Sequence, residues 1–478
     1  MTVQQAQHQS KTVAIVGGGF AGSLFALKMS AARPDYRVLL IERGYRHGRG
    51  LAYGACAPYH YLNVPVPRME LGLKPGFADW LRDNRPGILS DALADGGGDA
   101  AASFVTRQSF GDYLEARIAD ALSQDRTKGL ALLRGQAVRA LEPPARGVQL
   151  EDGREIKADI VVLAAGNLPP RPPPVRDGWF YDSPAYVPDP WARNAFDGID
   201  PDAPVVMLGT GQTMVDVALK LAAEGHTGPM YAISRRGLLP LVHQAGGKWE
   251  PFAHPDTPLA LMRTIRDAAG RAMAQGIPWQ RVIDAVRPNI AQLWHGWSEK
   301  ERRQFLRHAR PQWDVHRSRM PLRVAQPLEA LIAKGQLSVS AGRIQGYRAV
   351  HGGVDVLLPR GRFVFAAHVI NCTGPSGDLS RTAIPLIADL RRRGYVTPDA
   401  LGLGLVTDDC AALDDTGRAS TWLYALGPLT RPAWWEITAV PEIAVQVDRL
   451  VDELAQPSRA GKPSRDLAAA FVDLGAGI

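Results

Sequence analysis

The residues of this chain best placed to do chemistry sit in two glycine turns. Gly17-x-Gly19-x-x-Gly22 follows the apolar run Thr12–Val16 and opens a helical pattern through Leu24 and Leu27. Each part has a mechanical task. Gly17 allows a tight turn, Gly19 lets a pyrophosphate approach the backbone, and Gly22 lets the helix pack on the strand. Phe20 and Ala21 complete the turn into the helix. The helix N-terminus adds unpaired N–H groups and the positive end of a dipole. A second apolar run, residues 38–41, ends at Glu42, twenty residues beyond Gly22, and Arg43 follows. A carboxylate there can accept hydrogen bonds from a ribose diol. A glycine-rich turn alone is an ordinary α/β connection, but strand, turn, helix, strand and acid in this order read as a dinucleotide site.

A related unit recurs at residues 204–234. The run PVVML leads into Gly209-x-Gly211-x-x-Met214, with Gln212 and Thr213 opening a helix that carries Val215, Leu219 and Leu221. The missing third glycine implies looser helix–strand packing, as suits a mobile nicotinamide cofactor. After the next strand, Ser234, Arg235 and Arg236 stand where an acid is expected. Two guanidiniums there could hold an adenosine 2′-phosphate, which leans towards NADPH over NADH. A solvated basic turn explains the pair equally well. Two further strand ends, 160–166 and 368–374, close on a small residue and a glycine; the first contains Ala165 and Gly166.

The elements around these turns follow from pattern. Residues 241–337 hold five of the eleven tryptophans. Thr257 before Pro258, and the capping box Ser298 to Glu301, mark helix starts. This stretch reads as a mostly helical insertion. Inside it His316, Arg317 and Arg319 form a short strip suited to anion recognition or proton handling, or simply a solvated basic face. His243 and Trp249 are weaker candidates. Near the C-terminus a strand over 422–427 ends at Gly427. Glu436 then opens an amphipathic pattern with Ile437 beside it and Val440, Ile443, Ala444, Val447, Leu450, Val451 and Leu454 on one stripe. Residues 456–478 read as a short peripheral helix.

Composition bounds the rest. Hydrophobic residues at 46% and charged residues at 22% exclude a wholly disordered chain. The 48 glycines and 37 prolines have no collagen period and read as turns. A formal charge of +7 is a mild basic excess that suits small anions without selecting nucleic acid. Cys56, Cys372 and Cys410 are scattered, which argues against a disulfide framework, a zinc cluster or a dithiol centre. No long apolar stretch or leader-like segment stands out, so the expected setting is cytoplasmic, with no membrane and no nucleic acid partner, and no metal.

The glycine turn with Glu42, the run GLAYG…YLNVPVPRM over 50–69, AAGNLPP, GTGQTMVDVAL, INCTGP and GPLTRPAWWEITAVPEI over 427–443 together resemble the bacterial FAD/NAD(P)-binding proteins with two dinucleotide domains. Their wider relatives are flavin monooxygenases, and within that group the chain resembles the FAD-dependent urate hydroxylases. The resemblance implies an α/β protein with two Rossmann-like domains and a mostly helical insertion. An FAD domain would cover 1–200 and 376–478. A nicotinamide domain would cover 201–375, including the insertion at 241–337. Gly17, Gly19, Gly22, Glu42 and Arg43 would hold the ADP half of FAD. Tyr53, Asn63 and Met69 would lie beside the flavin ring or ribityl chain, and Val138 would meet the adenine through its backbone. The helix at Glu436 would point its positive end at the flavin pyrimidine, with Trp434 and Trp435 walling the ring or a flat substrate, or only packing under the helix. The implied activity is a monooxygenase that takes electrons from NADH or NADPH, passes O₂ through a C4a-peroxyflavin, and oxygenates a small anionic substrate, urate first. N-hydroxylation of an amine or amino acid, and reduction of an acceptor without oxygen transfer, are the alternatives. The sequence lacks the FxGxxxHxxxW pattern of the classical N-hydroxylating and Baeyer–Villiger flavoenzymes, so neither reaction follows from these motifs.

Overall fold

A computed structural model describes residues 10–124, 129–253 and 255–456. The terminal segment expected to form a peripheral helix lies outside the described residues beyond Gln456. Two parallel sheets dominate. The first has seven strands in the order Thr407–Asp408, Ala411–Leu413, Ala419–Ala425, Ile160–Leu163, Thr12–Val16, Arg37–Glu42, Leu130–Arg134. Its middle is all parallel, and the three central strands Ile160–Leu163, Thr12–Val16 and Arg37–Glu42 are buried on both faces, which is why they read as continuous apolar runs. The second sheet is parallel throughout, in the order Leu337–Ala341, Met230–Ser234, Val205–Leu208, His368–Asn371, Tyr186–Val187. A three-stranded antiparallel sheet accompanies each, over 137–157 and 346–366.

Each glycine turn connects a central strand to its helix, and the two turns repeat one another. Gly17 donates its N–H to Ile41 O (2.9 Å), and Gly209 to Ile233 O (2.7 Å). Both glycines adopt left-handed φ, +112° and +114°. A Cβ on Gly17 would stand 2.2 Å from Ala164 O, and one on Gly209 2.4 Å from Cys372 O. These carbonyls belong to the neighbouring strands ending at Ile160–Leu163 and His368–Asn371. The small residues seen at both strand ends thus have one cause: backbone passes over backbone there.

The chain crosses between the layers at boundaries the sequence placed differently. Tyr186–Val187 already pairs in the second sheet, so that sheet begins before residue 201. The helices of the insertion run from Pro258–Ala274 to Arg310–Arg317, with the expected Thr257 cap and Ser298–Glu301 capping box. The next helix, Leu322–Ala333, buries Val324, Ala325, Leu328 and Leu331 against the second sheet and is part of that domain's core. The insertion has its own core of Leu261, Val282, Val286, Trp294, Trp297, Phe305 and Trp313, into which Trp435 and Leu403 reach from the C-terminal segment.

The C-terminal helix is Val440–Ala455, not a helix from Glu436. Pro441 sets the start, because proline is tolerated in the first turn and would break a turn further in. Ile443, Ala444, Val447, Leu450 and Val451 bury against the helix Phe20–Ala32, as the stripe predicts.

Replacing Gly209 by alanine should therefore cost at least about 2 kcal/mol, the sum of a left-handed residue and a forced backbone shift. Gly211→Ala, where an added Cβ meets nothing and φ is −86°, should cost less than about 1 kcal/mol. Urea denaturation of the two variants checks this, and equal losses would remove the close approach as the cause.

Candidate functional site

The two helices that follow the turns begin alike. Gly19 (φ −75°, ψ −166°) and Gly211 (φ −86°, ψ −167°) are their N-caps, and neither helix has a side-chain cap or an acid in its first turn. Their leading N–H groups are available for an anion, as a dinucleotide pyrophosphate requires. Gly22 is needed for packing, since its Cβ would sit 2.0 Å from Gly17 O. At the second turn Met214 takes that position and is fully buried in the core.

The segment after Glu42 folds back across the first turn. Gly48 donates to Gly18 O (2.7 Å), and a Cβ on Gly50 (φ +52°) would stand 2.9 Å from Gly19 Cα. Glu42 accepts from Gly18 N–H and Gly44 N–H, each at 2.8 Å, one on each carboxylate oxygen. It braces the turn against the segment that follows the strand, and each carboxylate oxygen has a further lone pair. Arg43 is exposed. Gly427 (φ +68°) brings the C-terminal motif against the same helix, since its Cβ would lie 3.5 Å from the Ala21 side chain. A buried network holds it: Gly427 N–H donates to Gln446 Oε1 (2.8 Å), and Gln446 Nε2 donates to Thr430 Oγ1 (2.7 Å). Gln446 and Thr430 escaped the sequence reading because a polar residue on an apolar helix stripe shows its partner only in three dimensions.

The other candidate positions are spread more widely. Tyr53 is buried in an aromatic group with Phe110 (5.0 Å) and Phe20 (6.4 Å). Met69 is wholly buried, whereas Asn63, in the same run, is exposed. Val138 lies at a register shift in its strand, and Ala165 and Gly166 (φ +69°) are half-buried after theirs. Gln212 donates to Ser318 O (2.8 Å), which ties the second turn to the end of the insertion, and Thr213 is half-buried beside it. Ser234 Oγ meets Thr210 Oγ1 (2.9 Å), and Arg236 donates to two carbonyls of the insertion, while Arg235 is exposed.

The basic strip divides. His316 is hydrogen-bonded through Nδ1 to Gln312 O (2.7 Å) and packs edge-on to Trp279. Arg317 pairs with Glu436 (2.5 Å) and Glu442 (3.6 Å). Arg319 donates to Asp284 Oδ1 (2.7 Å) and Gln280 O (3.2 Å). Neither the anion-recognition strip nor the solvated face describes the two arginines, which belong to a buried belt of ion pairs within the insertion and from it to the C-terminal segment. Glu436 also accepts from Trp313 Nε1 (2.7 Å), and Arg287 pairs with Glu442. Trp434, Glu436, Ile437, Glu442 and Arg287 line one narrow pocket. Trp435 is not in it; that ring stacks on Trp294 at 4.5 Å. Burial would raise the Glu442 carboxyl, but Arg287 and Arg317 outweigh burial and hold it down to about 2.

One cation beside this belt differs. Arg68, in the YLNVPVPRM run, is half-buried, and no acceptor among the described residues takes a hydrogen bond from its guanidinium. The charge of Arg287, then burial, pushes it down to about 10, with Glu442 opposing. Sequence reasoning passed over Arg68, Arg287 and Glu442. Only Arg68 carried a signal, its place between two positions, Asn63 and Met69, that the resemblance implicates.

Residues 14–168 match the model of the FAD-NAD(P)-binding family. No curated protein matches the sequence. Among solved structures, the chain is similar to the reduced ornithine hydroxylase of Pseudomonas aeruginosa, with 14% identity and a TM-score of 0.61 over 94% of this chain and 99% of that one. It is similar to the L-lysine 6-monooxygenase of Pseudomonas syringae, with 18% identity and a TM-score of 0.59 over 93% and 99%. It is similar also to the FAD-bound cadaverine monooxygenase of Erwinia amylovora, with 10% identity and a TM-score of 0.62 over 96% and 99%. The fold is thus α/β with two dinucleotide-binding domains, that of the two-domain flavoprotein monooxygenases. It is the fold of N-hydroxylating enzymes even though the FxGxxxHxxxW pattern is missing.

The belt makes acid stability a sharp readout. Glu442 is held at about 2 in the folded protein and rises to the usual carboxylate range on unfolding, so its contribution is complete above about pH 4.5 and is lost as pH falls towards 2. Glu442→Gln should cost about 3–5 kcal/mol near pH 7, because the buried Arg287 guanidinium loses its carboxylate and Arg317 keeps only Glu436. The variant's denaturation midpoint should also fall less steeply with acid than that of the parent. Matching pH profiles would show that the belt is not what couples this helix to the insertion.

Proposed function

We propose that this chain is an FAD-dependent monooxygenase that consumes NADPH or NADH, with FAD on the first glycine turn and the nicotinamide nucleotide on the second. The observation that carries this reading is the duplicated turn, with matching backbone geometry and uncapped helix starts, inside a fold shared end to end with monooxygenases. Bound FAD, once reduced, supplies the activation of O₂. The balanced reaction converts substrate, O₂, NAD(P)H and a proton into hydroxylated substrate, water and NAD(P)⁺.

The protein's own residues bind, orient and exclude water. The N–H groups after Gly19 would take the pyrophosphate, and Glu42 the ribose diol. Trp434 and Ile437 give the C-terminal approach an apolar lining, and the pairs Arg317–Glu436 and Arg287–Glu442 fix the start of the helix beneath it. No side chain need act as a nucleophile; the requirement is a dry, pre-shaped site.

For the substrate, the solved neighbours support N-hydroxylation of an amine, since their substrates are ornithine, lysine and cadaverine. Arg68 supports a substrate that also carries an anion, because a carboxylate beside it would relieve the repulsion from Arg287. An amino acid meets both conditions. The urate reading leaned on Arg317 and Arg319, and both are engaged with carboxylates of the chain itself.

Four measurements test this. The purified protein should release FAD on denaturation. Gly211→Val, where the chain leaves open space, should slow anaerobic flavin reduction at least tenfold while FAD stays bound. In a panel of basic amino acids, diamines and urate, an amino acid should stimulate oxygen uptake and yield a hydroxylamine. Arg68→Ala should raise its apparent KM about tenfold, the worth of one charge-assisted pair, and leave a decarboxylated analogue unaffected. Peroxide as the sole product with every candidate would replace the monooxygenase with an oxidase or reductase; urate loss in place of hydroxylamine would restore the urate reading.

A further inference from the structure

The end of the strand Met230–Ser234 is a built platform and not a loose basic turn. Thr210, inside the second glycine turn, donates to Leu238 O (2.5 Å) and meets Ser234 Oγ (2.9 Å). Ser234 Oγ in turn accepts from Gly237 N–H (3.0 Å). Gly237 (φ +62°) presses on the strand Leu337–Ala341, where its Cβ would stand 2.9 Å from Ala341 N. The arginine turn and the dinucleotide turn are therefore one rigid unit.

The helical insertion reaches this unit through an irregular turn. At Phe305–Ala309 the helix widens by one residue, and Arg310 N–H bonds to Phe305 O. Such π turns leave carbonyls out of the regular ladder and are frequent at functional sites. Arg236 takes two of these carbonyls, with Nη1 on His308 O (2.9 Å) and Nη2 on Arg307 O (3.2 Å). Moving Arg236 onto a ligand would forfeit both bonds. Arg235 and Arg307 are exposed as Arg236 is, but among the described residues no acceptor takes a hydrogen bond from either guanidinium.

We propose that Arg236 is a positioning residue and that a ribose 2′-phosphate is received by Arg235 together with Arg307 of the π turn, so that the insertion supplies half of the site selecting NADPH over NADH. This rests on the nicotinamide role given to the second glycine turn. Two guanidiniums from different elements can grip a dianion together, and among the described residues neither is paired with a carboxylate that it would have to surrender first. The arrangement also links cofactor selection to the insertion, which is ion-paired elsewhere to the C-terminal segment through Arg287–Glu442 and Arg317–Glu436.

The test uses FAD-loaded protein and calorimetry, comparing adenosine 2′,5′-bisphosphate with 5′-AMP. The bisphosphate should bind at least tenfold more tightly. Arg235→Ala and Arg307→Ala should each remove about tenfold of that preference and leave 5′-AMP binding unchanged. Arg236→Ala should reduce the preference while also raising amide exchange at 305–310, a change that the other two variants should not produce. Equal binding of the two nucleotides, or an unaltered preference in Arg307→Ala, overturns the inference. If NADH then still reduces the flavin, the nicotinamide role stands without it; if neither nucleotide binds and neither NADH nor NADPH reduces the flavin, both fall together.

Discussion

Two backbone-on-backbone contacts set the geometry on which the rest of the molecule depends. At Gly17 and at Gly209 a central strand turns into its helix directly beneath the carbonyl that ends a neighbouring parallel strand, Ala164 in one sheet and Cys372 in the other. No side chain fits between them. The turn can therefore stay tight, the helix N-terminus can aim along the strand ends, and a pyrophosphate can reach the backbone. Gly22 repeats the constraint one turn later in the first sheet. The second sheet relaxes it with a buried Met214, so its helix is held by side-chain packing and not by backbone contact.

Above the strand ends, the insertion and the C-terminal helix meet through charge. Burying Arg287, Arg317, Arg319, Glu436, Glu442 and Asp284 costs desolvation energy, and apolar residues would fill the same space at no such cost. What the ion pairs add is direction. A guanidinium fixed on a carboxylate has one orientation, so the approach lined by Trp434, Glu436 and Ile437 has a defined shape. The stacked rings of Trp294 and Trp435 supply area behind it. Arg68 stands at the edge of this arrangement, where the charge of Arg287 outweighs the opposing carboxylates of Glu442 and Asp284.

The elements were largely legible. Strand, turn and helix at both glycine motifs, the Thr257 and Ser298 caps, and the apolar stripe of the C-terminal helix all fall where spacing placed them. The misplacements share one origin. Glu436 continues the stripe in register but sits before a proline that starts the helix later. Leu322–Ala333 is helical like the insertion, yet its apolar face packs on the second sheet. Periodicity reports which residues share a face and says nothing about what covers that face.

The glycine spacings, the acid after the second strand and the apolar runs determined by themselves that two dinucleotide-type units exist, because each is written within a few tens of residues and obeys local backbone sterics. Which charges are spent and which remain for a ligand was decided by tertiary structure alone. Glu442 lies 155 residues from Arg287, and Trp313 lies 123 residues from Glu436. In the linear sequence Arg68, Arg317 and Arg319 are equivalent cations; folding surrounds two of them with carboxylates and leaves the third beside another guanidinium. A side chain's chemistry depends on the charge and solvent within a few ångströms of it, and over such separations only the fold sets that distance.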